Sequence, residues 1–403
     1  MYKEKITSHY KYSEIHIEET RFKAFNKDTR SEYSFRVYDG GYAGIQLIQG
    51  SIGEAEGFRL AENNLALRRP YKFTPETGSR HRDQSEVEYS DKELMDIARQ
   101  TLDYLKTHHP DYIFSGDVST FRKTLSMEND LGLDVSNTDA KISADFSFKH
   151  KDSKDIMDGW FSFSKRQFDF EKFKETADNF LTNFTNRVEL PEELIIQDQY
   201  YSYIGKMWET LNAENLALGT SLLSGKIGEK VFADGFTLTH DVTDRESWIT
   251  PFFDGEGVML PGDKYTFIKD GVLLSGFADK RIADKYGVPH TGSANFCTAD
   301  IPTNGNINFR IERCGRTVKE LLDGRLTVVP IMAAGGGFNE KGEYVTPVQT
   351  ALLCDGERLL GRLPEFTLKG NMFDMFGKDF IGVASDEPVF NDKQILMKMQ
   401  YSK

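Results

Sequence analysis

The sequence predicts an α+β fold in two domains. An N-terminal α/β-type domain is expected over residues 1–190. A C-terminal domain with a large, mostly antiparallel sheet or a barrel-like body is expected over residues 191–403. Three observations predict this division. The N-terminal half combines strand-like alternation with two helical stretches. The residue pattern changes at Val188–Glu192. After Gly219, tight turns separate short apolar runs.

Alternation of apolar and polar residues predicts the first strands. Ile15 and Ile17 alternate with polar residues, which is the pattern of a half-buried strand. Two further apolar runs, Phe35–Val37 and Ile45–Leu47, flank the turn Asp39–Gly41. Because Asp-Gly favours tight turns, we expect these two runs to pair as a hairpin.

Two helices are expected in the N-terminal half. Ser90 and Glu93 form a capping-box signature, and apolar residues then recur at spacings of three and four until Pro110 ends the helix. A stripe of Phe and Leu at helical spacing predicts a second helix from Phe170 to Phe184, with core packing favoured over a ligand pocket. Two strands are expected between the helices: Ile142–Phe148 and Trp160–Phe163.

The C-terminal half is expected to be richer in strands. Ile195-Ile196 predicts a short strand and Tyr200–Leu211 a helix, and apolar runs follow at Leu326–Met332 and Ala351–Leu353. Five Asp-Gly pairs mark turns: Asp234-Gly235, Asp254-Gly255, Asp270-Gly271, Asp323-Gly324 and Asp355-Gly356. Repeated strands between tight turns are typical of antiparallel sheets and barrels.

Composition excludes several classes of protein. The 403-residue chain has 50 Lys+Arg and 63 Asp+Glu, hence a net charge of −13, so direct nucleic-acid binding is not expected. No apolar run approaches the length of a membrane span, and Met1–Thr20 lacks the apolar segment of a secretory signal. Cys297, Cys314 and Cys354 are odd in number and are interpreted as reduced thiols, so a cytoplasmic location is expected.

The sequence contains no local zinc motif. None of the eight histidines belongs to an HExxH or HExxxH sequence, and no CxxC is present. His108 and His109 are adjacent, so on a helix they point about 100° apart and cannot chelate one ion together. A site assembled from distant residues is the remaining alternative, and no metal ligand is assigned.

Three other groups of residues could support chemistry. His290 and Cys297 could form a thiolate pair, although a loop histidine and a structural thiol are the favoured interpretation. Gly335–Gly337 could admit a phosphate or a peptide backbone, against the favoured alternative of a bulge or tight strand crossing. Asp254 and Glu256 could orient a basic substrate group, against the alternative of a solvated turn.

The C-terminal half also resembles the TldD/PmbA family, whose PmbA branch is also called TldE. The resemblance is ordered and collinear over about residues 195–385. The matching segments are Gly219–Phe232, Pro251–Val258, Ile268–Leu273, Ala283–Gly287, Thr291–Ala294 and Phe366–Met375. In the N-terminal half, Glu14–Thr20, Asp39–Gly44 and Met127–Leu133 fit the family more weakly. One departure is Gly342–Pro347, which replaces the family's usual TGdfS.

The resemblance implies a peptidase-related function. In the TldD branch an HExxxH helix and a C-terminal cysteine hold zinc, and the glutamate is the general base. Here the matching window, Lys206–Ala213, lacks both histidines, and the last cysteine, Cys354, lies well before the C-terminus. Glu209 is either a coincidental acid or the residue nearest the general-base position. These departures point to the metal-free PmbA/TldE branch.

That branch implies a partner rather than independent catalysis. The chain is expected to be inactive alone and to pair with a TldD-type subunit that holds the zinc and processes unfolded peptides. The family's reported contexts include peptide maturation and the label of gyrase modulator. Two alternatives remain: a non-enzymatic peptide-binding or scaffold homodimer, and a self-standing hydrolase that uses Cys297 with His290 or a dispersed metal site.

Overall fold

The computed structural model describes residues 1–72, 74–243, 249–390 and 392–403. Its α+β architecture, with a large sheet and a five-stranded barrel, confirms the predicted fold class. The strands of the N-terminal half are β1 Tyr2–Glu18, β2 Arg21–Asp39, β3 Tyr42–Gln49, β4 Arg69–Pro70, β5 Gly78–Asp83, β6 Tyr112–Asn129, β7 Leu133–His150 and β8 Gly159–Lys165. Its helices are α1 Glu54–Asn63, α2 Asp91–His108 and α3 Phe170–Leu181.

These eight strands form one sheet, in the order β4-β3-β2-β1-β6-β7-β5, with β8 also paired to β7. Every pairing is antiparallel except β5 with β7. The predicted hairpin is confirmed, because β2 and β3 pair from Glu32↔Gln49 to Asp39↔Tyr42 around the Gly40-Gly41 turn. Strands β1 and β2 are much longer than the apolar runs that predicted them, since most of the added residues are polar but still pair across the sheet.

The two predicted N-terminal helices cover one face of this sheet. Helix α2 begins at the expected capping box, in which Ser90 Oγ accepts from the Glu93 N–H and the Glu93 carboxylate accepts from the Ser90 N–H. Helix α3 ends at Leu181 rather than Phe184. Phe184 is nevertheless buried in the same core, so the apolar stripe continues into the turn after the helix.

The remaining elements build the C-terminal half. Its strands are β9 Leu194–Gln199, β10 Leu238–Asp241, β11 Lys264–Lys269, β12 Val272–Leu273, β13 Phe309–Ile311, β14 Thr327–Ala333, β15 Gly337–Phe338, β16 Glu343–Cys354, β17 Leu359–Arg362, β18 Phe366–Asn371, β19 Phe380–Val383 and β20 Gln394–Ser402. Its helices are α4 Tyr201–Thr210, α5 Ala213–Leu218, α6 Lys280–Tyr286, α7 Val318–Leu322 and α8 Met372–Met375.

The C-terminal strands form a small sheet and a closed barrel. Strands β12-β11-β10-β13 make the small antiparallel sheet. Strands β14, β9, β20, β18 and β16 pair in sequence, and β14 also pairs with β16, which closes the ring. Only β14 with β9 is parallel within this ring. Closure of the ring confirms the expected barrel-like body.

The Asp-Gly pairs are less regular than predicted. Asp270-Gly271 joins β11 to β12, and Asp355-Gly356 joins β16 to β17, as expected for hairpin turns. Asp323-Gly324 instead follows α7, Asp234-Gly235 lies between α5 and β10, and Asp254-Gly255 lies inside an isolated antiparallel bridge between Phe253 and Met259. The reason is that Asp323 and Gly324 (φ 49° and 80°) adopt the same left-handed conformations as Asp270 and Gly271 (φ 47° and 78°), and helix ends need these as often as hairpins do.

The two halves share apolar core. Phe146, Phe161 and Phe180 of the N-terminal half belong to the same buried cluster as Val329 and Leu352 of the barrel. The division between residues 190 and 191 stays a prediction, because this core runs across it. Within the described ranges, every helix is too short or too polar to span a bilayer.

Candidate functional site

A cleft of about 790 Å³ lies between helix α4 and the end of strand β14. It brings together two sequence candidates that are far apart in the chain, Glu209 on α4 and Gly335–Gly337 after β14. The other candidates, Asp254, Glu256, Cys297 and His290, do not line it. The predicted site residues therefore fall into two groups: those that line the cleft and those that lie elsewhere.

Helix α4 presents an ion pair to the cleft. Lys206 Nζ donates to Glu209 Oε2 at 2.6 Å, one helical turn along. The Lys206 side chain is only 5% exposed, whereas that of Glu209 is 53% exposed. Because a buried ammonium is costly unless it is paired, Glu209 neutralises Lys206 while keeping much of its own hydration. The pair leaves this wall of the cleft without net charge.

A buried carboxyl lies at the end of β9, where the chain enters α4. Asp198 lines the cleft, its Oδ2 accepts from the Tyr203 hydroxyl at 3.0 Å, and its Oδ1 accepts from the Gln199 N–H at 2.7 Å. Burial raises the pKa of Asp198 to about 7, although these hydrogen bonds oppose the rise. Asp198 can therefore change its charge near neutral pH.

The opposite wall is a strand edge. On the side of β14 that faces away from β16, pairing with β9 is limited to Val328↔Ile196. Further along this edge the Trp160 indole N–H donates to the Ile331 carbonyl at 3.0 Å. Residues Pro330 to Phe338 then line the cleft. Within the described part of the chain, no strand continues along this edge beyond Val328.

The three glycines at the end of this wall have different roles. A Cβ on Gly336 would lie 2.1 Å from the Val345 carbonyl oxygen, so this position requires glycine for the close crossing with β16. Gly335 and Gly337 have φ of +82° and +144°, and a Cβ on either would meet open space. Gly336 thus fits the strand-crossing interpretation, while its two neighbours shape the cleft wall through backbone conformation.

A β-bulge places Gln349 in the cleft. Register shifts flank Met332 in the β14–β16 pairing, where Met332 lies opposite Thr350 and Ala333 lies opposite Val348. Gln349 therefore has no direct cross-strand partner, and bulges of this kind redirect side chains near functional sites. Its Oε1 is buried and has no hydrogen-bond partner among the described residues. Gln349 is an unsatisfied acceptor in the cleft lining.

Asp254 and Glu256 lie elsewhere, buried between the two halves of the molecule. Asp254 accepts hydrogen bonds from the backbone N–H groups of Glu256, Val258 and Ala294. Glu256 accepts from the Tyr71 hydroxyl and from the Lys280 N–H. Burial and the adjacent Glu256 raise the pKa of Asp254 to about 7, and burial also raises the pKa of Glu256. The turn is buried rather than solvated.

Arg36 joins this group from the first sheet. Its guanidinium donates to Glu4 Oε1 at 3.1 Å, to the Gly255 carbonyl at 2.9 Å and to the Cys297 carbonyl at 2.7 Å. We call Glu4, Arg36, Tyr71, Asp254 and Glu256 the interface cluster. All five are buried. Their hydrogen bonds link the N-terminal half to the C-terminal loops.

The structure does not bring Cys297 and His290 together. Cys297 Sγ lies 3.6 Å from Thr303 Oγ1, His290 is exposed, and no hydrogen bond joins the two in the described residues. It is the Cys297 backbone, through its carbonyl, that contributes to the interface. This arrangement lacks the contact that a thiolate pair requires.

The donor set around helix α4 does not fit zinc. The helix contributes Lys206 and Glu209 to the cleft but no histidine. Cys354 is buried in the apolar core, where burial raises the pKa of its thiol to about 12. Across the described ranges, no three His, Cys, Asp or Glu side chains are grouped so that they could hold a metal ion.

Comparison with known proteins defines the class. Residues 199–395 match the family described as PmbA/TldA metallopeptidase C-terminal domain. This match confirms the resemblance to the TldD/PmbA family found in the sequence, over the C-terminal half of the chain.

Individual relatives and structures agree over nearly the whole chain. The crystal structure of TldE from Thermococcus kodakarensis has a TM-score of 0.82 at 16% identity, covering 99% of this chain and 96% of that one. A metalloprotease of Archaeoglobus fulgidus is 23% identical over 386 residues, covering 89% of this chain and 85% of its own length. An uncharacterised protein of Methanocaldococcus jannaschii is 22% identical, covering 87% and 86%.

Sequence reasoning missed three residues of the cleft. Asp198 could have been found from the sequence, because it is an acidic residue between the expected strand at Ile195-Ile196 and the expected helix that begins at Tyr200. Lys206 carried no signal, since one lysine on a helix is ordinary. Gln349 could not have been found, because its position depends on a bulge in a pairing between residues far apart in the chain.

Proposed function

We propose that this chain is a metal-free, TldE/PmbA-like subunit that holds unfolded peptide for a TldD-type zinc peptidase. The observation that carries the proposal is the cleft itself. The helix that would bear HExxxH in a TldD-type protein here bears a Lys206–Glu209 ion pair, and it faces a strand edge across the cleft. A lysine ammonium cannot ligate zinc, so the α4 wall suits binding rather than hydrolysis.

The strand edge supplies the physical means of holding a peptide. An extended chain can hydrogen-bond to an unpaired edge through its backbone, whatever its sequence. The edge of β14 beyond Val328 offers such groups along one wall of the cleft. The partner would contribute the zinc, the activated water and the general base. A complex of the two chains is therefore the active form in this proposal.

The test combines metal content with peptidase activity. The chain and a TldD-type subunit from the same organism are purified separately and then mixed, with unfolded casein as substrate. We expect no stoichiometric zinc in this chain, no cleavage by it alone, and cleavage by the mixture that exceeds that of the partner alone. One bound zinc per chain with chelator-sensitive cleavage by the isolated chain would contradict the proposal.

The same assay addresses the two alternatives. Cys297→Ser should leave the activity of the mixture unchanged, whereas its loss would favour the hydrolase that uses Cys297 with His290. If the chain forms a stable homodimer and does not change the partner's activity, the scaffold alternative is supported instead. Size-exclusion chromatography with light scattering measures the oligomeric state in the same samples.

A further inference from the structure

One hydrogen-bond acceptor in the lining of the cleft has no partner among the described residues. Gln349 Oε1 is buried without a hydrogen-bond partner in the described residues, although it lies in the cleft lining. A buried acceptor without a partner is destabilising, because it has lost its hydrogen bonds to water. The bulge that places Gln349 there also interrupts the hydrogen bonds between β14 and β16. The structure is therefore locally destabilised twice at this point, by the unpaired oxygen and by the interrupted pairing. A ligand N–H donor would satisfy this oxygen.

The charges of the lining indicate which ligands can enter. Among the described lining residues, Lys206 is the only cation, and Glu209 neutralises it at 2.6 Å. Asp198 adds a carboxyl that is ionised above about pH 7. With no unpaired cation to meet a phosphate or a carboxylate, anionic ligands are disfavoured. Neutral and cationic ligands meet no such penalty.

Apolar side chains also line the cleft, and two of them are partly exposed to solvent. Trp160 is 41% exposed and Tyr201 is 47% exposed, although both are large aromatic residues. Ile331, Met332 and Phe338 complete this surface. Aromatic and methionine side chains around a few polar groups are typical of peptide-binding surfaces.

We infer that the cleft binds an extended apolar peptide segment that is uncharged or cationic, and that one main-chain N–H of this segment donates to Gln349 Oε1. The inference rests on the proposed function for the entry of peptide into the cleft. It adds a preference against acidic segments and assigns Gln349 as a positioning residue. The cleft would then fix the register of a peptide through one hydrogen bond while the strand edge holds its backbone.

The first experiment measures affinity with the full chain alone. Short capped peptides share one apolar sequence and carry Lys, Gln or Glu at the same two positions, and isothermal titration calorimetry gives each dissociation constant. At pH 8, where Asp198 is ionised, we expect the Lys and Gln peptides to bind at least about 10-fold more tightly than the Glu peptide, since a carboxylate would face Asp198 and meet no unpaired cation. Equal or tighter binding of the Glu peptide, or no binding of any peptide, would overturn the inference.

The second experiment tests the hydrogen bond to Gln349. Gln349→Met keeps the length of the side chain but removes the acceptor, and we expect it to weaken binding by about 3- to 10-fold. Methylating the peptide backbone nitrogens one at a time should reveal one position that weakens binding to the natural protein but not to Gln349→Met. Gln400→Met, an exposed substitution outside the cleft lining, is the matched control.

The outcomes separate this inference from the proposed function. If Gln349→Met binds as the natural protein does, or if no methylated position depends on Gln349, the assignment of Gln349 is wrong. The proposed function would still stand provided that the mixture with a TldD-type subunit remains active. Thermal unfolding of each variant shows whether a loss of affinity reflects a loss of fold, and Gln349→Glu, which retains an acceptor oxygen, should still bind the Lys peptide.

Discussion

The interface cluster and the cleft both contain a buried aspartate whose pKa is raised to about 7, yet their surroundings differ. Asp254 accepts hydrogen bonds from three backbone N–H groups. Its neighbours Gly255 and Glu256 accept hydrogen bonds from Arg36 and Tyr71 of the N-terminal half. Asp198 has a comparable pKa but lines a cleft of about 790 Å³ that also contains an unsatisfied acceptor, Gln349.

This contrast shows that a raised pKa does not by itself identify a binding site. Desolvation raises the pKa of both aspartates, since both are almost completely buried. The distinguishing feature is access from solvent, because Asp198 lines an open cleft whereas Asp254 is buried between the two halves of the molecule. The interface cluster is therefore assigned to stability and the cleft to binding, and this assignment can be tested from either side.

The largest expected effect is on the interface cluster. Arg36→Met should lower the free energy of unfolding by about 3–5 kcal/mol, because it leaves Glu4 buried without its cation and removes two cross-links to the C-terminal loops. Urea denaturation measures the change. Arg59→Met, at an exposed ion pair with Glu56, is the control and should leave the midpoint unchanged. If Arg36→Met had the same denaturation midpoint as the natural protein, the cluster would not stabilise the interface.

The next effect concerns the pH dependence of stability. The pKa of Asp198 is about 7 in the folded protein against 3.8 for an ordinary aspartate, so the folded state keeps a proton that the unfolded chain has lost. The resulting stabilisation is fully present below about pH 4 and is lost as the pH rises through 7.

Asp198→Asn should remove this contribution. Between about pH 5 and pH 8, the natural protein should lose a few kcal/mol more unfolding free energy than the variant does. Denaturation midpoints at several pH values measure the difference. Parallel pH profiles for the two proteins would mean that Asp198 does not hold a proton in the folded state.

A smaller effect should separate stability from binding. Tyr71→Phe removes the hydroxyl that donates to Glu256 and should lower the unfolding free energy by about 1–3 kcal/mol. Because Tyr71 does not line the cleft, peptide affinity measured by calorimetry should be unchanged. A change in affinity without a change in stability would reverse the assignment of the two regions.

The smallest effect is expected when the ammonium of the α4 ion pair is removed. Lys206→Met removes a buried ammonium and leaves Glu209 in water, so stability should change by less than about 1 kcal/mol. Glu209→Gln should be more harmful, since it leaves the ammonium buried without a carboxylate. Thermal unfolding of both variants measures this asymmetry. Equal losses would mean that Lys206 is better hydrated than its burial indicates.

Local sequence signals predicted several elements well. The capping box at Ser90 and the hairpin at Asp39–Gly41 were found because their determinants lie within a few residues of one another. The Asp-Gly pairs were less informative, because the same left-handed conformations end helices and join strands. Of the candidate residues, Glu209 and Gly335–Gly337 reached the cleft, whereas Asp254 and Glu256 lie in the interface.

By itself the sequence determined the α+β class, the resemblance of the C-terminal half to the TldD/PmbA family, and the absence of histidines on helix α4. These properties depend on residue order and on short-range periodicity, which the chain carries before it folds. Only the tertiary structure decided that Glu209 faces Gly335–Gly337, that Gln349 is left unpaired, and that Arg36 is buried against the C-terminal loops. Those features depend on strand pairings and packing between distant segments, whose register no local pattern specifies.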